Sequence, residues 1–253
     1  MKSILENFYV RLAERFSPDK SSVLNKILQT YHYDKKIRLG AKQDGGYVIG
    51  DIGNYDCYIS CGISDEESFS RDFIEKYKMT KKNCFAFDGT ILDYPWNYTK
   101  QITFIKKNIN SFNDNYNTNL SELTQKYTNI FLKMDIEGGE YPWFLSNETT
   151  LKCFKQIVIE FHNINNDIGY GLNDKLKCLK KLTDTHILIH AHGNNCCPTI
   201  KGIPNVIELT FLNKDCFQTI PKLNSVSFPI KGLDYPNNPI VQDIPLAYPF
   251  VNL

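Results

Sequence analysis

The stretch Ile130-Phe131-Leu132-Lys133-Met134-Asp135-Ile136-Glu137-Gly138-Gly139-Glu140 decides how the chain is read. A nearly unbroken apolar run reads as a buried strand, and it ends in three carboxylates around a glycine pair. In an open α/β sheet, ligands bind beyond the carboxyl ends of the strands. Acidic side chains are costly to bury there unless they handle a cation, a polyol or a proton. The segment therefore predicts a buried strand and the floor of an active site.

On either side the pattern alternates between apolar runs and amphipathic or loop segments. Strands are expected at Cys57–Cys61, Cys84–Phe87, Ile102–Ile105, Ile130–Met134, Gln156–Phe161, His186–His190 and Val206–Leu212. Helices are expected at 3–16, 20–31, Ser68–Lys76 (with Ser68 as its cap) and Asn173–Leu182. A hairpin is expected over Ile37–Ile49, turning at Asp44-Gly45-Gly46. Nearly continuous apolar strands separated by helices indicate a mainly parallel seven-stranded sheet covered on both faces. The last two strands are joined without a helix, so they should form an antiparallel hairpin that closes one edge, with the last strand antiparallel. Residues 1–36 read as a helical extension and 37–253 as one α/β domain. From Leu233 onward, a Pro/Asn-rich tail should drape over the domain like a lid.

Composition sets the outer bounds. Hydrophobic residues make up 42% of the chain, enough for a core, and a net charge of +1 argues against a broad nucleic-acid surface. The eight cysteines form no CxxC pair, which speaks against a zinc ribbon or a disulfide framework. No apolar run is long enough for a membrane span, and a reduced, cytoplasmic setting is the simplest expectation.

Several strand ends carry candidate chemistry. Gly62-Ile63-Ser64 follows the first strand, and a glycine there lets backbone approach a nucleotide-like ligand. Asp65, Glu66 and Glu67 come next and would repel a pyrophosphate, so a cationic ligand such as S-adenosylmethionine fits better. Asp88 before Gly89, 26 residues beyond Gly62, is placed to accept ribose hydroxyls. His162 and Asn163 end the fifth strand beside Asp135, which suits His162 to general-base work. The sixth ends His190-Ala191-His192-Gly193-Asn194-Asn195, where polyol binding, a structural turn and metal ligation all stay open. Asp234, Asn237, Asn238 and Asp243 are expected to fold over the same rim.

Together these residues resemble the FkbM-type family of S-adenosylmethionine-dependent O-methyltransferases. Asp135-Ile136-Glu137-Gly138-Gly139-Glu140 resembles the family's Asp-x-Glu-Gly-x-Glu block. The segments Asp44-Gly45-Gly46-Tyr47-Val48, Cys61–Ser64, His192–Asn195 and Leu233–Asn237 are similar to a bacterial branch associated with capsule and lipopolysaccharide sugars. The resemblance spans roughly 37–245. Two features depart from the family pattern: Ser64-Asp65-Glu66 replaces an Asn-Gly pair, and Asp88-Gly89 replaces Glu-Pro.

The resemblance implies a class I methyltransferase fold and methyl transfer to a sugar hydroxyl, nucleotide-linked or within a surface glycan. It implies cofactor contacts at Gly62, Ile63, Ser64, Asp88, Gly89, Asp135, Asp44 and Tyr47. His162 is the expected base, oriented by Asp135, with His192 as the second choice. Glu137, Asn163, Asn194, Asn195 and Asn237 are the expected substrate contacts, Glu140 a cap of the next turn, and Mg²⁺ at Asp135 and His162 a variant. An NAD-linked sugar oxidoreductase and a catalytically silent glycan-binding module are the alternatives.

Overall fold

The computed structural model describes residues 20–95, 100–146 and 151–252. The helix expected at 3–16 lies outside them. The chain begins with α1 (Lys20–Ile27) and an antiparallel hairpin, β1 (Lys36–Leu39) and β2 (Tyr47–Gly50). It continues through β3 (Cys57–Cys61), α2 (Ser68–Tyr77), β4 (Cys84–Phe87), β5 (Thr103–Ile105) and a short parallel pair, β6 (Asn108–Ile109) and β7 (Asn117–Thr118). Then come α3 (Ser121–Lys126), β8 (Ile130–Met134), α4 (Glu140–Ser146), β9 (Phe154–His162), α5 (Leu172–Thr185) and β10 (His186–Gly193). A small hairpin, β11 (Thr199–Ile200) with β12 (Ile203–Pro204), leads into β13 (Val206–Asn213).

One seven-stranded sheet runs in the order β10-β13-β9-β8-β3-β4-β5. Strands β3, β4, β5, β8 and β9 are parallel, and β13 is antiparallel to both of its neighbours. This is the Rossmann-like class I methyltransferase arrangement. The expected antiparallel hairpin closes one edge, with β13 inserted between β9 and β10 and β10 outermost. All eight residues of β13 are buried. A strand covered on both faces and flanked on both sides makes more use of that apolar sequence than an edge position would.

The core lies on both sides of the sheet, and the pleat sorts the side chains. Ile130, Leu132 and Met134 of β8 join one apolar cluster, with Trp143, Phe161 and α1's Leu24. Phe131 joins the other, with Tyr58, Phe69 and Phe73. Such alternation is the period of a strand. Helix α1 stops at Ile27 rather than residue 31, because Tyr31 N–H donates to Leu188 O of the edge strand. The β1–β2 turn occupies 40–46, held open by the Arg38 guanidinium, which donates to the carbonyls of Ala41 and Gln43. Ser68 is not the cap of α2: it is the first helical residue, and its N–H donates to Glu66 Oε1 at 3.1 Å. Among the described residues, no helix is long and apolar enough to cross a membrane.

Candidate active site

Strand order reverses between β3 and β8, so the segments that follow them leave in opposite directions and a crevice opens at their carboxyl ends. A cavity of about 460 Å³ opens there. All eight residues named as cofactor contacts line it, together with Glu137. Gly62 sits at φ +77°, and a Cβ there would stand 1.5 Å from Asp135 O. Only glycine permits this approach. Asp135 N–H donates to Cys61 O and ties the β8 turn to β3, while Gly62 N–H donates to Phe87 O at the end of β4.

Asp88 behaves differently from expectation. Its Oδ2 accepts the N–H groups of Ile63 and Ser64 at 2.9 and 3.1 Å, and its Oδ1 accepts the N–H and hydroxyl of Thr90 at 2.7 and 2.6 Å. Burial tends to raise its pKa, but these donors outweigh it and hold the carboxyl below the usual range. With four donors already in place, Asp88 shapes the glycine turn rather than presenting free oxygens to a ribose. The free oxygen is on Glu66, whose buried Oε2 has no partner and lies against Gly45. A bare backbone turn, an unpartnered carboxylate oxygen and surrounding acids fit a zwitterionic, sulfonium-bearing cofactor.

Of this wall, Lys133 was missed in the sequence, and Glu67, expected to face a ligand, turns inward. Lys133 is 6% exposed, and its Nζ donates to Gly62 O at 2.6 Å. Glu67, also buried, accepts from Ser60 Oγ and Tyr94 OH. A lone lysine inside an otherwise apolar strand was the available signal.

Asp135 faces the cavity with Oδ2 accepting the Tyr47 hydroxyl at 3.1 Å. His162 is near it, yet the contacts of its ring are with glutamates. Its Nε2 lies 3.1 Å from Glu137 Oε2 and 3.3 Å from Glu160 Oε1, and its Nδ1 lies 3.5 Å from Glu140 Oε1. Burial pulls the imidazole's pKa down, but Glu140 and Glu160 push it up to about 11. A raised pKa favours the protonated ring, which donates to these carboxylates. The ring contacts of the expected base are therefore with glutamates rather than with Asp135, and the reason is side-chain direction. His162 and Glu160 lie two apart on one strand and share a face. Glu140, fully buried, bridges the two strand ends by accepting from Gly138 N–H and His162 N–H, both at 2.9 Å.

His192, the second choice, has no free nitrogen. Its Nδ1 is 3.2 Å from Glu208 and its Nε2 3.1 Å from Asp243. Burial opposes the charge, but Glu208 and Asp243 lift its pKa to about 10. His190 Nε2 meets Asp234 Oδ1 at 2.8 Å. Both histidines thus fasten the C-terminal tail to the sheet, as the expected fold-over of that tail requires.

The asparagines divide the same way. Asn195 donates to the Asn238 and Val241 carbonyls and accepts from Asn238 N–H, so its amide clamps the tail. Asn194 Oδ1 accepts from Cys196 N–H within a turn, and Asn163 Oδ1 from Asn205 Nδ2. The loop after His162 is further held by the buried Lys175, whose Nζ donates to the carbonyls of Asn163, Asn166 and Ile168. Of the five expected substrate contacts, Asn195 is committed to the tail at both ends of its amide, while Glu137 and Asn237 carry oxygens without a full set of partners. The Glu137 side chain is 85% exposed, and Asn237 Oδ1 has no partner. Asp135, Glu137 and His162 could each offer one ligand atom within 4.8 Å of the others, so the Mg²⁺ variant has a geometric basis. The imidazolium, however, must lose its proton before a cation enters.

No curated protein and no solved structure matches the chain. The model of the methyltransferase FkbM domain matches residues 14–193, well over half of the chain and all of the sheet except β13. The glycine turn after β3, the acid block after β8 and the cavity between them lie within that span. The chain belongs to the FkbM family of methyltransferases and is an S-adenosylmethionine-dependent enzyme.

Proposed function

We propose that the protein methylates a hydroxyl of a sugar, nucleotide-linked or part of a surface polysaccharide such as capsule or lipopolysaccharide, in the cytoplasm. The observation that carries this reading is the position of Asp135 on the cavity wall. One of its oxygens is anchored by Tyr47, and the exposed Glu137 stands two residues beyond. Carboxylates and amides are the ordinary partners of sugar hydroxyls, and a polyol satisfies several of them together.

The cofactor, when bound, supplies an electrophilic methyl group. The glycine turn and the Glu66 carboxylate would hold its polar parts, and Asp88 keeps the turn in shape. A sugar hydroxyl is a weak nucleophile until its proton leaves. Asp135 takes that proton, with the Tyr47 hydroxyl fixing the direction of the carboxylate. His162 stays protonated and keeps Glu137 and Glu160 in place. Alignment of the hydroxyl with the departing methyl supplies much of the remaining acceleration.

A labelled-methyl assay against a panel of nucleotide sugars tests this reading. Transfer to a sugar hydroxyl, lost in Asp135→Asn, is expected. Transfer only to non-sugar acceptors would overturn the substrate class. Thermal stabilisation by NAD but not by S-adenosylhomocysteine would overturn the cofactor.

A further inference from the structure

Glu160 of β9 and Glu208 of β13 are directly opposite each other in the antiparallel register, and each is 5% exposed. Like charges in that position are destabilising; burial and the neighbouring carboxylates lift the Glu160 carboxyl to about 8, and His162 and His192 each offset one carboxylate from the side. Asp44, on the turn between β1 and β2, brings a third carboxylate. Ligand atoms of the three lie within 4.8 Å of one another.

Two further observations indicate that the group lacks a component. Glu160 Oε2 is buried with no hydrogen-bond partner. Asn237, 6% exposed, donates Nδ2 to Glu208 at 2.8 Å and to Asp44 at 3.2 Å, while its own Oδ1 has no partner. The two ends of an amide have nearly the same shape, so a half-turn would present Oδ1 to the same carboxylates. In its present orientation the NH₂ group supplies the partial positive charge that a cation would supply in full.

We propose that Asp44, Glu160, Glu208 and Asn237 form a binding site for one hard divalent cation, Mg²⁺, Mn²⁺ or Ca²⁺. The donors are all oxygens, which favours these ions over zinc or copper. His162 and His192 each pair with one carboxylate from the side, which leaves Glu160 Oε2 free, and the half-turn of the Asn237 amide releases Glu208 Oε1 for the ion. Asp44 also lines the cofactor cavity, which puts the cation beside it. If the sugar-hydroxyl reading holds, the ion's role is to chelate acceptor oxygens.

The test is Mn²⁺ titration of the chelator-stripped full chain, followed by electron paramagnetic resonance, with Mg²⁺ and Ca²⁺ as competitors. One saturable Mn²⁺ per chain is expected. Glu160→Gln and Glu208→Gln should each weaken it about 100-fold or more, since they remove direct ligands. Glu137→Gln, in the neighbouring acid group, should leave the affinity unchanged. Absence of saturable binding overturns the site, as does retained affinity in either glutamine variant. Loss in Glu137→Gln alone would move the ion to the other group and also overturn it. S-adenosylhomocysteine binding reports folding of each variant, and Asp44→Asn on the exposed turn replaces any variant that fails to fold. A failed methyltransferase reading would show as absent S-adenosylhomocysteine binding by wild type, independently of the Mn²⁺ result.

Discussion

The Cα of Gly62 and the carbonyl of Asp135 meet so closely that a Cβ would stand 1.5 Å from that oxygen. The turn after β3 and the turn after β8 are thus locked backbone to backbone, and Asp135 is positioned on the cavity wall by Gly62. Gly62→Ala must push the turns apart as well as adopt a φ of +77°. The expected outcome is loss of S-adenosylhomocysteine stabilisation in a thermal melt, with an overall loss of about 1–3 kcal/mol or more in folding stability by urea titration.

Asp135 and Tyr47 make separate contributions. Asp135→Asn should lower kcat by about 10²–10⁴-fold, the range for general-base assistance, with cofactor affinity nearly unchanged. Tyr47→Phe removes only the hydrogen bond that aims the carboxylate, so about a tenfold loss is expected. Steady-state kinetics beside calorimetric binding of S-adenosylhomocysteine distinguish the two. Full activity in Asp135→Asn would remove it as the base.

The histidines give stability opposite pH dependences. His162 and His192 are raised, to about 11 and about 10, above an ordinary value near 6.5. Their contribution is complete below the unfolded value and is lost as pH rises through the folded ones. His186 is lowered to about 4, mainly by burial. It stays neutral in the fold, so its effect appears as a loss of stability when pH falls from about 6.5 toward 4. Imidazole NMR should find His162 and His192 protonated at pH 8 and His186 neutral at pH 5. Urea unfolding of His192→Gln should have a flatter alkaline limb than wild type.

The tail has discrete fasteners. Asp243→Asn weakens its grip on His192, and Asn195→Ala removes three hydrogen bonds to 238–241. Hydrogen exchange across 233–243 should accelerate by about tenfold or more, while β3 and β8 stay protected. Unchanged exchange in the double variant would show that the remaining fasteners, His190–Asp234 and Asn237–Glu208 among them, suffice to hold the segment.

Much of this was legible because the strands are continuous apolar runs and the acids stand at their ends. Ile130–Met134 announces itself, as do the glycine turn and the cavity walls. Partnerships were harder to read. His162 sits beside Asp135 along the strand ends, but its ring turns toward glutamates 2, 22 and 25 residues upstream. Asp88 has the spacing of a ribose acceptor, and only its hydrogen bonds reveal that it is occupied. Glu208 and Lys133 each stood alone in an apolar strand, a signal that a buried charge had a partner to find. The position of β13 depended on pairing across the sheet, which local pattern does not encode.

The place of β13 bears on how the chain can be made and cut. Residues up to 193 include every other strand of the main sheet, yet β9 and β10 are not neighbours until β13 lies between them. A polypeptide ending at 193 therefore presents an open seam, with two strands displaying unpaired backbone groups ready to recruit another chain. During synthesis the same seam persists until residue 213 is released from the ribosome. A soluble product, whether from a truncated gene or a stalled translation complex, requires that last strand as a central wedge.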